Sequence, residues 1–91
     1  MVNAEAVREG LQEWLENPHW AKYYDSAPSD KCREYIALDF YYSDTEDDEV
    51  AEALDELEKD LTVEDWKHLL KYSDPGPERG KIIRKIAELE G

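Results

Sequence analysis

One cysteine, four scattered glycines and no long apolar run set the first limits on this 91-residue chain. Cys32 alone cannot close an intramolecular disulfide or assemble a cysteine-based metal site, and its flanks suggest a small buried hydrophobe. The glycines at 10, 76, 80 and 91 are not grouped into a phosphate cradle, and GxSxG, HExxH and paired CxxC motifs are all missing. Nothing approaches the roughly 18 apolar residues of a membrane span. The beginning Met1-Val2-Asn3-Ala4-Glu5 lacks a basic then apolar leader pattern, which makes the cytoplasm the expected compartment.

Basic residues are also scarce. Eleven Lys and Arg face 24 Asp and Glu, for a net charge of −13. The imbalance is local: residues 44–60 hold ten acids and one base, whereas residues 78–91 hold three acids and four bases. An acidic stripe repels phosphate backbones and anionic headgroups, which argues against direct binding to nucleic acid or membrane and leaves basic proteins as the expected partners.

High charge with a mean hydropathy of −0.86 leans toward disorder. Three Trp, six Tyr and one Phe lean the other way, because their large rigid side chains fill a core and the aliphatic residues recur at helical spacing. A chain of this length hides only roughly 60–65% of its unfolded surface, so it is expected to form one domain over residues 1–91 around one modest core.

Helix signals divide the chain into five or six short segments. Asn3 is a good cap, and Val7, Leu11, Trp14 and Leu15 mark one helical face up to Glu16. Asn17-Pro18 stops that helix and starts a short one to Tyr24, since Asn caps and Pro fits the first helical position. Ser26-Ala27-Pro28-Ser29 opens a third helix over residues 29–42.

On the wheel of that helix Cys32, Ile36 and Phe40 form one stripe, while Tyr35, Leu38 and Tyr42 form a second. Two apolar stripes with a narrow polar side around Asp30, Arg33, Glu34 and Tyr41 place it in the middle of a bundle. Ser43-Asp44-Thr45 is expected to cap a fourth helix to about Asp60, with Val50, Leu54, Leu57 and Leu61 in line and Asp48, Glu52, Asp55, Glu56 and Lys59 opposite. Thr62-Val63-Glu64-Asp65 resembles a capping box with Asp in the acidic position, opening a fifth helix to Tyr72.

The breaker Ser73-Asp74-Pro75-Gly76-Pro77 precedes a last helix marked by Ile82, Ile83, Ile86 and Leu89. Period-two alternation is missing, and no repeat of 20–50 residues is visible. An all-α compact bundle is the expected fold.

The chemistry-bearing residues give no positive sign of an enzyme. Acid–base catalysis requires carboxylates whose pKa values are shifted by burial, and acids on helix surfaces lack that burial. His19 and His68 lie far apart in sequence, and the helical wheel turns His68 away from the Trp66 and Leu70 face, toward solvent. The run from Asp44 to Glu49 fails as a calcium loop because its sixth position requires glycine and holds Glu49. No cofactor or metal is expected.

The expected function is therefore a small acidic adaptor or inhibitor that engages a basic protein surface. Its expected contact residues are Asp44, Asp48, Glu52, Asp55 and Glu56, with Tyr41 as the tyrosine most exposed on the third helix. Arg79, Lys81, Arg84 and Lys85 are positioned in sequence to neutralise part of that field within the fold. Mimicry of nucleic acid, with helical carboxylates imitating phosphates, is the narrower version. The competing expectation is a regulatory or structural helical module that docks through an apolar or aromatic surface, its acidity serving solubility.

Overall fold

A computed structural model describes residues 3–73 and 75–91. Among them are six helices and no strand: α1 (Ala4–Leu15), α2 (Pro18–Asp25), α3 (Asp30–Thr45), α4 (Asp48–Glu58), α5 (Val63–Tyr72) and α6 (Pro77–Glu90). They form an all-α bundle with a radius of gyration of 12.8 Å.

Most helix beginnings are fixed by a short polar side chain that accepts otherwise unsatisfied backbone N–H groups. Asn3 accepts from Glu5 and Ala6, Asn17 from His19, Ser29 from Cys32, and Asp47 from Glu49. Thr62 and Asp65 complete a reciprocal capping box at α5. Helix α6 starts at Pro77 without a side-chain cap. The expected turn ahead of it includes Asp74, which lies outside the described residues.

The end of α3 differs from expectation. Ser43, Asp44 and Thr45 extend this helix by nearly a turn instead of capping the next one. Ser43 Oγ donates to the Asp39 carbonyl at 3.1 Å and Thr45 Oγ1 to the Tyr41 carbonyl at 2.9 Å, so the hydroxyls that could have left the helix bond back into it. Reversal comes at Glu46, a left-handed residue with φ of 52°, and Asp47 then caps α4.

The two stripes of α3 serve two core clusters. Cys32, Ile36 and Phe40 pack with Tyr23, Ala27, Leu61, Trp66 and Leu69, whereas Leu38 packs with Val50, Leu54 and Leu57. Tyr35 reaches both clusters, and Tyr42 borders the second. Full burial of a large apolar side chain contributes about 1.5–3 kcal/mol, which makes Ile36, Val50 and Trp66 principal anchors of the fold.

Aromatic contacts join α1, α2 and α3. Trp14 stacks on Phe40 with centroids 4.6 Å apart, and Trp20 meets Trp14 and Phe40 edge-on at 5.8 and 5.7 Å. Helix α6 rests on α5, and Ile82 and Ile86 reach the first cluster. None of its residues is fully buried, and Ile83 and Leu89 remain 49% and 51% exposed.

Candidate functional site

A groove of about 800 Å³ opens between α3, α4 and the α5–α6 turn. Helix α3 contributes Tyr35, Asp39, Phe40 and Tyr42, helix α4 contributes Leu54, Asp55 and Glu58, and the far side holds Tyr72, Glu78 and Lys81. The same helical faces that build the two cores bring these residues together. Asp39 follows Leu38 and precedes Phe40, so it is carried inward with its neighbours rather than onto the outer surface.

The groove is unevenly charged. Asp39, Asp55, Glu58 and Glu78 line it, and among the described lining residues Lys81 is the one Lys or Arg. Lys81 Nζ bridges to Glu58 Oε2 at 2.9 Å, with the Glu58 side chain only 9% exposed. Tyr35 donates its hydroxyl to the same Glu58 oxygen at 3.4 Å.

Burial pushes the Asp39 carboxyl up to about 6, and the negative charge of Glu78 adds to the shift while Lys81 opposes it. Tyr35 is likewise driven well above the ordinary phenol value by burial, with Glu58 and Asp39 reinforcing the shift.

Outside the groove, the expected contact residues are distributed unevenly. Asp48, Glu52, Asp55 and Glu56 are exposed along α4, and Asp55 also borders the groove. Glu56 pairs with Lys59 at 3.0 Å on the surface. Asp44 is exposed on the last turn of α3, where it accepts the Trp14 indole N–H at 3.0 Å and ties α1 to α3.

Tyr41 is half-buried rather than exposed. It packs against the second cluster, and a Cβ placed at Gly10 would lie 3.8 Å from its ring. Helix α1 therefore covers the side of α3 that the wheel left open.

His68 also departs from the expected solvent-facing position. Its Nε2 lies 2.7 Å from the Tyr23 carbonyl, and because a carbonyl only accepts, this nitrogen carries the proton. The ring stacks on Tyr23 at 5.3 Å, so His68 covers one of the last carbonyls of α2. His19, distant in sequence, meets Tyr72 at 5.7 Å, and Tyr72 meets His68 at 5.2 Å.

Of the four C-terminal cations, Lys81 neutralises Glu58, and Arg79 instead donates to the Leu70 and Ser73 carbonyls at 3.3 Å, closing the end of α5. Arg84 is exposed. Among the described residues, no group of three or more His, Cys, Asp or Glu is arranged to hold a metal ion, and no helix is long and apolar enough to cross a membrane.

Asp39, Glu58 and Glu78 were not among the expected site residues. For Asp39 a signal was present, since it is the one carboxylate in the otherwise apolar and aromatic run from Tyr35 to Tyr42. No family model, curated protein or solved structure matches the chain.

Proposed function

We propose that the protein is a small acidic binding module, an adaptor or inhibitor, that engages a basic protein surface through α4 and the adjoining end of α3. The observation that carries this reading is the exposed row Asp48, Glu52, Asp55 and Glu56 on a segment with ten acids and one base. Lys59, the base of that segment, is committed to Glu56. The row is therefore a strong, outward negative field able to steer a positive partner and orient it at encounter.

Capture of partners by the tagged protein from its native lysate tests the reading at about 50 mM and 300 mM salt, which bracket weak and strong screening. A basic partner retained at low salt, released at high salt and lost when Asp48, Glu52, Asp55 and Glu56 are changed to Ser is the expected result. A partner indifferent to salt and to these substitutions would overturn it.

The alternative docking mode, through an apolar surface, draws on the exposure of Ile83 and Leu89 on α6. Changing both to Ser would abolish that mode and leave acidic steering intact.

A further inference from the structure

We propose that the groove between α3, α4 and the α5–α6 turn seats an arginine side chain, with an adjoining apolar residue, from a short segment of the basic partner. This rests on the acidic-module reading and adds to it a specific recognition site. The outer row of α4 would draw the partner in, and the groove would select what it carries.

Shape and charge agree on that occupant. A volume of about 800 Å³ lies within the ordinary range for sites that enclose a ligand, ample for two or three side chains. Among the described residues, four carboxylates line it against one ammonium, a balance of −3 when all are ionised. Tyr35, Tyr42 and Tyr72 are among the aromatic residues of the lining, and the Tyr72 ring already holds a cation, Lys71 Nζ, 5.8 Å from its centroid.

The protein already places one cation here, because Lys81 Nζ lies on the nearly buried Glu58 carboxylate. That pair leaves Asp39, Asp55 and Glu78 without an equal counter-charge. Burial is the main cause of the raised proton affinity of Asp39, and the nearby Glu78 charge adds to it, so a cation placed beside the two would favour the ionised form.

Arginine suits these surroundings better than lysine. Its guanidinium is planar, stacks on aromatic faces, forks onto carboxylates and gives up its hydration more readily than an ammonium. An adjoining leucine-like side chain matches the apolar stretch of the groove around Leu54 and Phe40.

The probe is the blocked peptide acetyl-Ala-Leu-Arg-Leu-Ala-amide, titrated into the whole protein at about 50 mM salt and pH 7, followed by amide chemical shifts. Its counterpart with Gln in place of Arg is the control. The expected shifts fall on α3 around residue 39, on α4 around residue 58 and on the α5–α6 turn. Asp39→Asn and Glu58→Gln should each weaken binding about fivefold or more, whereas Glu52→Gln with Glu56→Gln should change it less than about twofold.

Lys81→Gln removes the internal competitor and should tighten binding by a few-fold, a gain that a folding defect would not produce. Lowering the pH from 7 to 5 should weaken the wild type and leave Asp39→Asn largely unaffected, since only the former loses a charge near pH 6. The Lys-containing peptide should bind more weakly than the Arg peptide.

Equal binding of the Gln peptide, shifts confined to the outer row of α4, insensitivity to Asp39→Asn and Glu58→Gln, or no shift at all would each overturn the groove assignment. None of these outcomes would remove the salt-sensitive capture, and Asp48→Ser with Glu52→Ser and Glu56→Ser tests the outer acidic face without touching Asp55 in the groove. Loss of that capture alongside intact groove binding would instead refute the outer face.

Discussion

Ser29 and Asp65 join the beginnings of two helices: the Ser29 hydroxyl caps α3 by accepting the Cys32 N–H at 3.1 Å and donates to Asp65 Oδ1 at 2.9 Å. The other Asp65 oxygen accepts the Thr62 N–H at 2.9 Å within the capping box of α5. A carboxylate only 1% exposed is thus fully engaged, and it lies at a helix N-terminus where negative charge is favoured.

Replacing Asp65 by Ala removes the box, loosens the Ser29 cap and opens a small void. The expected loss is about 2–4 kcal/mol, read as a lower midpoint in urea with an unchanged slope. A loss under about 1 kcal/mol would show that the two helix starts are held by packing instead.

Asp39 should impose a pH dependence of the opposite sense to an ordinary salt-bridged acid. Its pKa rises from 3.8 to about 6 on folding, so the folded protein binds more protons than the unfolded chain between these values. The associated stability is fully present only below the unfolded value of 3.8 and is lost as pH rises through 6, for a difference of about 3 kcal/mol. Asp39→Asn should therefore raise the melting temperature at pH 7 and leave little difference from wild type near pH 4. Equal gains at both pH values would contradict a titration of this residue.

Gly10 and Gly80 lie inside helices and neither needs to be glycine for space. A Cβ at Gly10 would make an ordinary contact 3.8 Å from the Tyr41 ring, and one at Gly80 would meet nothing within 4 Å. Gly10→Ala and Gly80→Ala should each stabilise by about 0.5–1 kcal/mol and add in the double variant, as measured by denaturant unfolding.

Glu46 ends α3 in the left-handed region with φ of 52°, a conformation that costs most side chains about 1 kcal/mol. Glu46→Gly should relieve that strain and also remove one charge from the densest acidic stretch. We expect a net gain of up to about 1 kcal/mol after the added chain entropy of glycine, visible as a higher melting temperature.

Much of this fold was legible because local signals agreed with one another. Asn3, Asn17, Ser29 and Thr62 each announce a helix that the structure contains, and the two stripes of α3 correspond to its two clusters. Ser43 to Thr45 misled because cap-forming hydroxyls are equally able to bond backward into a helix, and the choice depends on where the chain next reverses. Tyr41 and His68 misled because a single helical wheel cannot show which neighbour lies against its polar side.

The groove was less legible because it forms where distant stretches meet. Glu58 and Lys81 are 23 residues apart, and Asp39 acquires its unusual proton affinity only when Glu78 and the surrounding burial are assembled around it. The outer acids of α4 were readable from periodicity alone, whereas their extension into the groove through Asp55 depended on the placement of α6.

Helix α6 has its own weight in this arrangement. With no fully buried residue, it is held by Lys81 on Glu58, Lys67 on Glu90, Arg79 on the end of α5 and the partial packing of Ile82 and Ile86. Its backbone amides should exchange with solvent through a partial opening that spares α3, whose apolar stripes are locked into both clusters. Such an opening would change the width of the groove on the side that carries Lys81 while the frame of α3 stays folded.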